Sequence, residues 1–155
     1  MDPDYFDSLI SPDLIELDQD FQDKDDCIQY LIGLVYQAGR LNDRQQVHND
    51  IMAREEQTNT GVGKGIGIPH AKTSGVDEPT VAFVRAEDGV DFGAMDDSLA
   101  HLIFMLLVPE GSSDEHLKLL STLSRALVHD EVREALMDAA TPDDVIDTLK
   151  EAVSE

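Results

Sequence analysis

Apolar positions recur along this chain first with the period of a helix, then with that of strands, then with that of a helix again. Residues 13–17 (DLIEL) alternate and predict a short strand. After an acidic stretch, the run from Cys27 to Arg40 sets Ile28, Leu31, Ile32, Leu34, Val35 and Ala38 on one broad apolar face, which predicts a helix. A more polar helix is expected from Asp43 to Glu56, with Val47, Ile51 and Met52 turned inward. Residues 65–69 (GIGIP), 80–86 (TVAFVRA) and 100–108 (AHLIFMLLV) read as strands, the last apolar enough to be central in a covered sheet.

Helix signals then return. Ser112 and Glu115 have the spacing of a capping box ahead of Leu117, Leu120, Leu123 and Leu127. Asp130 is placed to cap a short helix to Ala139, and Thr141-Pro142 has the form of a cap followed by proline at the first helical position. Helices before and after a cluster of strands imply an α/β fold with a sheet covered on both faces, in a single domain. The first ten or so residues stand outside this pattern as a candidate extension.

Charge changes the picture of what such a domain can meet. Asp and Glu number 33 against 11 Lys and Arg, for a net charge of −22. That excludes nucleic acid and anionic membranes as partners and leaves proteins or small molecules. No apolar run is long enough to span a bilayer, and the N-terminus is acidic where a secretory signal would be basic, so a cytoplasmic protein is expected. The lone Cys27 falls in the apolar helical pattern and is read as core. An acid excess of this size suits a halophile, whose cytoplasm holds molar salt, because about 1 M salt shortens the Debye length to about 3 Å.

The acids are unevenly spread. From Gln57 to Val76, twenty residues carry no Asp or Glu, whereas 33 acids in 155 residues would put about four there. The same window holds Gly61, Gly63, Gly65, Gly67 and Gly75, Lys64 and Lys72, and Pro69-His70 at its centre. Glycines let backbone N–H groups approach an anion, and Gly63, Gly65 and Gly67 are the candidates for a phosphate-binding backbone. The spacing is neither that of a Walker A loop nor that of a dinucleotide-binding fingerprint. No cofactor or metal is implied.

His70 is suited to accept phosphate, since a neutral imidazole is nucleophilic near neutral pH. A glycine-rich turn beside a hydrogen-bonded structural histidine accounts for the same letters, and the residues alone leave both readings open. Two groups could support an acceptor. His116, early in its helix and on the face of Leu120, Leu123 and Leu127, should point inward and stay neutral, free to donate to a phosphoryl oxygen or to a backbone carbonyl. Arg54 offers a cation just before the window, although Asp50, one turn earlier, is placed to pair with it. His48, His101 and His129 lack such a setting and are read as structural or exposed.

At this point the chain resembles the enzyme IIA proteins of the fructose/mannitol class of the phosphoenolpyruvate-dependent sugar phosphotransferase system, the fructose branch most. The resemblance rests on Arg54-Glu55, on Thr60-Gly61-Val62-Gly63 through Gly65-Ile66-Gly67-Ile68-Pro69-His70-Ala71-Lys72-Thr73, and on Val90-Asp91-Phe92-Gly93-Ala94. It continues through Leu102-Ile103-Phe104, Pro109-Glu110-Gly111 and His116-Leu117. It implies a mixed β-sheet flanked by helices on both faces. It implies His70 as the phosphorylated residue, with His116 and Arg54 in the active site. It further implies phosphoryl input from the histidine phosphocarrier HPr and output to a cysteine of an enzyme IIB. Related proteins of the nitrogen branch share fold and histidine but signal instead of feeding uptake, and a non-covalent anion-binding module is the alternative of another class. Asp96-Asp97 departs from the family pattern, where Asp-Gly is expected.

Overall fold

A strand that is apolar on both faces has to lie between two layers, and the two longest strands here are of that kind. The computed structural model describes residues 1–154, the side chain of Ser113 excepted. Six strands form one sheet: β1 (Ile15–Gln19), β2 (Gly61–Gly63), β3 (Ile66–Gly67), β4 (His70–Lys72), β5 (Thr80–Val90) and β6 (Ala100–Val108). Their order is β1-β5-β6-β3-β2, with β4 also paired to β6. β5 runs antiparallel to β6, with Phe83 opposite Phe104 and their ring centroids 4.7 Å apart. β1 is parallel to β5, and β3 and β4 are parallel to β6, so the sheet is mixed. Burial is continuous from Thr80 to Ala86 and along β6 apart from His101, which requires cover on both faces.

That cover comes from α1 (Pro3–Leu9), α2 (Lys24–Gln37), α3 (Arg44–Gln57), α4 (Ser113–Leu127), α5 (Asp130–Asp138) and α6 (Pro142–Val153). None of these helices is long and apolar enough to cross a membrane. Local chemistry sets their starts. Asp23 accepts from the Asp26 N–H at 2.9 Å and opens α2 ahead of its apolar run. Asp43 caps α3 by accepting from the Gln46 N–H at 3.1 Å, and Thr141 caps α6 by accepting from the Asp144 N–H at 3.2 Å.

Elsewhere the structure departs from the pattern. Ser112 makes no side-chain capping hydrogen bond, and the Glu115 carboxylate of the expected box accepts instead from the Tyr5 hydroxyl at 2.7 Å. α5 starts one residue early: His129 is the N-cap, and Asp130 is already helical and paired with Arg133. The strand expected at 13–17 is shifted, since Pro12 opens a 3-10 turn to Leu14 and pairing begins at Ile15. The segment 65–69 divides at Pro69, which has no N–H for a ladder, so β3 ends at Gly67 and β4 begins at His70. The first ten residues do not trail from the fold. Phe6, Leu9 and Ile10 are buried in the common core.

One buried cation ties the sheet to the helices. Arg85 on β5 meets Asp18 through Nε and Nη2, both at 3.0 Å. Its Nη1 donates to the carbonyls of Leu136, Met137 and Ala139 at 3.0, 3.0 and 2.7 Å, at the end of α5. A guanidinium is suited to this because its donors fan out in one plane.

Candidate active site

Strand geometry sends alternate side chains to one face, so His70 and Lys72 on β4 point the same way. His70 is 6% exposed, and its ring Nδ1 lies 2.7 Å from the Ile68 carbonyl oxygen. A carbonyl can only accept, so Nδ1 carries the proton and Nε2 keeps its lone pair. Burial lowers the pKa of this imidazole below the ordinary value; the Ile68 bond opposes the shift, Arg54 adds to it, and Glu55 opposes it. At neutral pH the ring is therefore neutral and nucleophilic at Nε2.

His116 enters from the first turn of α4. Its ring centroid is 5.1 Å from that of His70, with the planes inclined by 37°. Its Nε2 is buried and has no hydrogen-bond partner. Burial lowers its pKa too, helped by His70, Lys72 and Arg54, so it is held neutral with one N–H to give. Arg54 comes from the last turn of α3, where its Nη1 donates to the Thr58 carbonyl at 3.0 Å. The pairing with Asp50 expected from helical spacing does not form. Gln46 occupies Asp50 Oδ1 at 3.0 Å, and Asp50 Oδ2 is buried without a partner.

Neighbouring Glu55 turns away from this group. Its buried carboxylate accepts from the Thr60 hydroxyl and from Lys24 Nζ at 3.1 Å, bracing α3 against α2 and the start of β2. Arg54-Glu55 thus divides into one cation for the cleft and one acid for the frame. The cleft has a volume of about 550 Å³, and Asp50, Arg54, Gln57, His70, Lys72 and His116 supply its polar lining. Two cations and two neutral imidazoles against one carboxylate make an anion-binding surface on a chain of net charge −22.

The family model described as "Phosphoenolpyruvate-dependent sugar phosphotransferase system, EIIA 2" matches residues 8–152. The chain belongs to this EIIA family. It is accordingly a phosphotransferase component. It is 48% identical over 147 residues to the fructose-specific EIIA component of Haloferax volcanii, covering 94% of this chain and 96% of that one. The fructose-specific EIIABC component of Bacillus subtilis is 41% identical across 92% of this chain, which spans 22% of that longer protein. Among solved structures, the nitrogen regulatory protein IIA-Ntr of Neisseria meningitidis superimposes with a TM-score of 0.82 at 32% identity, over 92% of this chain and 97% of that one. IIA mannitol of Escherichia coli, at 23% identity and a TM-score of 0.78, shares the fold over 90% of this chain and 98% of its own.

In this EIIA chain the glycine-rich hairpin plays a different part from the one its letters suggest. Gly63, Gly65 and Gly67 are not among the residues lining the cleft. Donors of the turn are already occupied: the Lys64 N–H by Asp96 Oδ2 at 2.9 Å and the Gly65 N–H by Ser98 Oγ at 3.3 Å. The Lys64 bond, with two more from Ser98, holds the Asp96 carboxyl down at about 2. A Cβ at Gly63 would sit 2.8 Å from Asp96 Oδ2, and one at Gly67 would sit 3.2 Å from the Phe92 ring. These glycines permit close packing, and the window is free of acid in sequence but not in space. The Asp96-Asp97 departure keeps its turn, because Asp97 adopts the left-handed φ of 62° that glycine favours.

Two cleft residues escaped the sequence reading. Lys72 was legible as the residue two beyond His70 on the same strand face, whereas Asp50 and Gln57 carried no signal apart from helical spacing to Arg54. His48 pairs with Asp25, His101 bonds the Ala86 carbonyl and His129 caps α5, so none of them reaches the cleft.

Proposed function

We propose that His70 accepts a phosphoryl group from phospho-HPr and passes it to a cysteine of an enzyme IIB, in the uptake of a sugar that the relatives suggest is fructose. The observation that carries the reading is the fixed tautomer of His70: Nδ1–H is tied to Ile68 O, and the Nε2 lone pair belongs to a ring lining the cationic cleft. Nε2 attacks phosphorus in line, forming an N–P bond as the donor's N–P bond breaks and its imidazole leaves. Positive charge developing on the His70 ring is stabilised by the Ile68 carbonyl. Charge on the equatorial oxygens is met by Arg54, Lys72 and the His116 N–H, so catalysis is positioning and electrostatics. In the second step a cysteine thiolate attacks the same phosphorus and His70 leaves as the neutral imidazole.

Fructose uptake is favoured over a nitrogen-type signalling role by the fructose-specific relatives, which match nearly the whole chain. The nitrogen regulatory protein of Pseudomonas aeruginosa matches 64% of it, at 40% identity. The acid excess supports work in a salt-rich cytoplasm. Incubation with phosphoenolpyruvate, enzyme I and HPr tests the reading: the protein gains acid-labile phosphate, and His70→Ala loses it while keeping its fold. Undiminished labelling of His70→Ala contradicts the assignment, and a non-covalent anion-binding module gains no phosphate at all. Transfer onward to a fructose IIB separates uptake from signalling.

A further inference from the structure

His116 sits on a turn that little else holds. Before Leu119, none of the described side chains of α4 is buried, and the N-cap Ser112 makes no side-chain bond to the open N–H groups. A cavity of about 370 Å³ lies beside the same turn, bordered by Tyr5, Asp114, Glu115 and Leu119. Across it runs one strong contact, the Tyr5 hydroxyl donating to Glu115 Oε1 at 2.7 Å.

The far end of that contact is firmly anchored. Phe6, Leu9 and Ile10 are core residues, Asp7 meets Lys150 of α6 at 2.8 Å, and Arg40 donates to the Leu9 carbonyl at 3.0 Å. Burial, followed by the bond to and charge of Glu115, raises the Tyr5 phenol far above its usual range, so the hydroxyl remains a donor wherever the protein is folded. The family model's match begins at residue 8, so Tyr5 lies outside the residues it matches.

We propose that Tyr5 is a positioning residue for His116, acting through Glu115 to hold the first turn of α4 against the phosphoryl cleft. The proposal rests on the reading of His116 as the donor to the phosphoryl oxygens. A side-chain oxygen two residues into α4 fixes the turn, and with it the height of the next ring over His70. Loosening the turn admits water around His116 and blurs the geometry of transfer, where misplacement by about 1 Å can cost about 10²-fold.

The test is Tyr5→Phe in the full chain, which keeps the ring and removes only the hydroxyl. Imidazole NMR titration of the unphosphorylated protein reads His116 directly, among the groups that line its cleft: His70 and Lys72 from β4, Asp50 and Arg54 from α3. The expected result is a His116 titration moved up toward the ordinary histidine value with that of His70 nearly unmoved. With phospho-HPr as donor, kcat falls about tenfold at constant KM, a fraction of the loss a full misplacement brings. Glu115→Gln keeps an acceptor oxygen and stays close to the parent in both readouts, whereas Glu115→Ala behaves like Tyr5→Phe. An unshifted His116 titration in Tyr5→Phe overturns the proposal, including when the melting temperature falls. Because the titration needs no phosphate, this outcome is distinct from a parent protein that fails to accept phosphate, which overturns the functional reading instead.

Discussion

Arg85 and the His70 cleft treat buried polar groups in opposite ways. Arg85 is 7% exposed, and its donors are matched to a carboxylate and three carbonyls. In the cleft, His116 Nε2 and Asp50 Oδ2 are buried with no partner. Full satisfaction marks a group that holds structure, whereas an orphaned imidazole nitrogen beside a nucleophile marks a place where something can arrive. A phosphoryl oxygen would satisfy His116 with its proton on Nε2, as the proposed function requires. Asp50 Oδ2 needs a donor, which a phosphoryl group does not bring.

Removing Arg85 should produce the largest loss of stability. Arg85→Ala leaves three carbonyls and Asp18 unmatched, and unfolding in urea should show a loss of about 3–5 kcal/mol, while protein still folded accepts phosphate at the parental rate. The cleft responds the other way round. Arg54→Ala should slow phosphorylation by about 10²–10³-fold, about 2.7–4 kcal/mol in the barrier, in rapid-quench labelling with phospho-HPr. Its urea midpoint should barely move, since Arg54 gives up only the bond to the Thr58 carbonyl.

Protonation gives a smaller contrast. Both cleft histidines have lowered pKa values in the folded protein, chiefly through burial. An unfolded histidine takes a proton near pH 6.5 that the folded protein refuses, so stability falls as pH drops from about 6.5 toward the folded pKa values. Phosphoryl acceptance persists below pH 6.5 and fails only as His70 itself protonates. His116→Gln should flatten the stability slope between pH 6.5 and 5 in urea titrations, and Arg85→Ala should leave that slope unchanged.

The same contrast marks what could be read from the letters. β5, β6, α2, α3 and α6 were legible because each carries a long periodic run or a cap within four residues. α1 was missed because seven residues hold too little periodicity, although Asp2-Pro3 has the same cap-then-proline form as Thr141-Pro142. The Glu115 half of the box at Ser112 failed because its carboxylate is claimed by Tyr5, 110 positions away, and the glycine hairpin was misread because the acceptors for its N–H groups lie 32 and 33 positions on. His70, Arg54 and His116 were visible as motif letters. Their convergence on one cleft, the tautomer of His70 and the orphaned His116 nitrogen belong to tertiary structure.

The Ile68 carbonyl assigns the proton to Nδ1 of His70, which in the proposed function leaves Nε2 to take the phosphoryl group. Nitrogen-15 NMR of the phosphorylated protein tests it directly. The expected product carries the phosphoryl group on Nε2 of His70 with Nδ1 still protonated; a phosphoryl group on Nδ1, or on His116, contradicts the assignment.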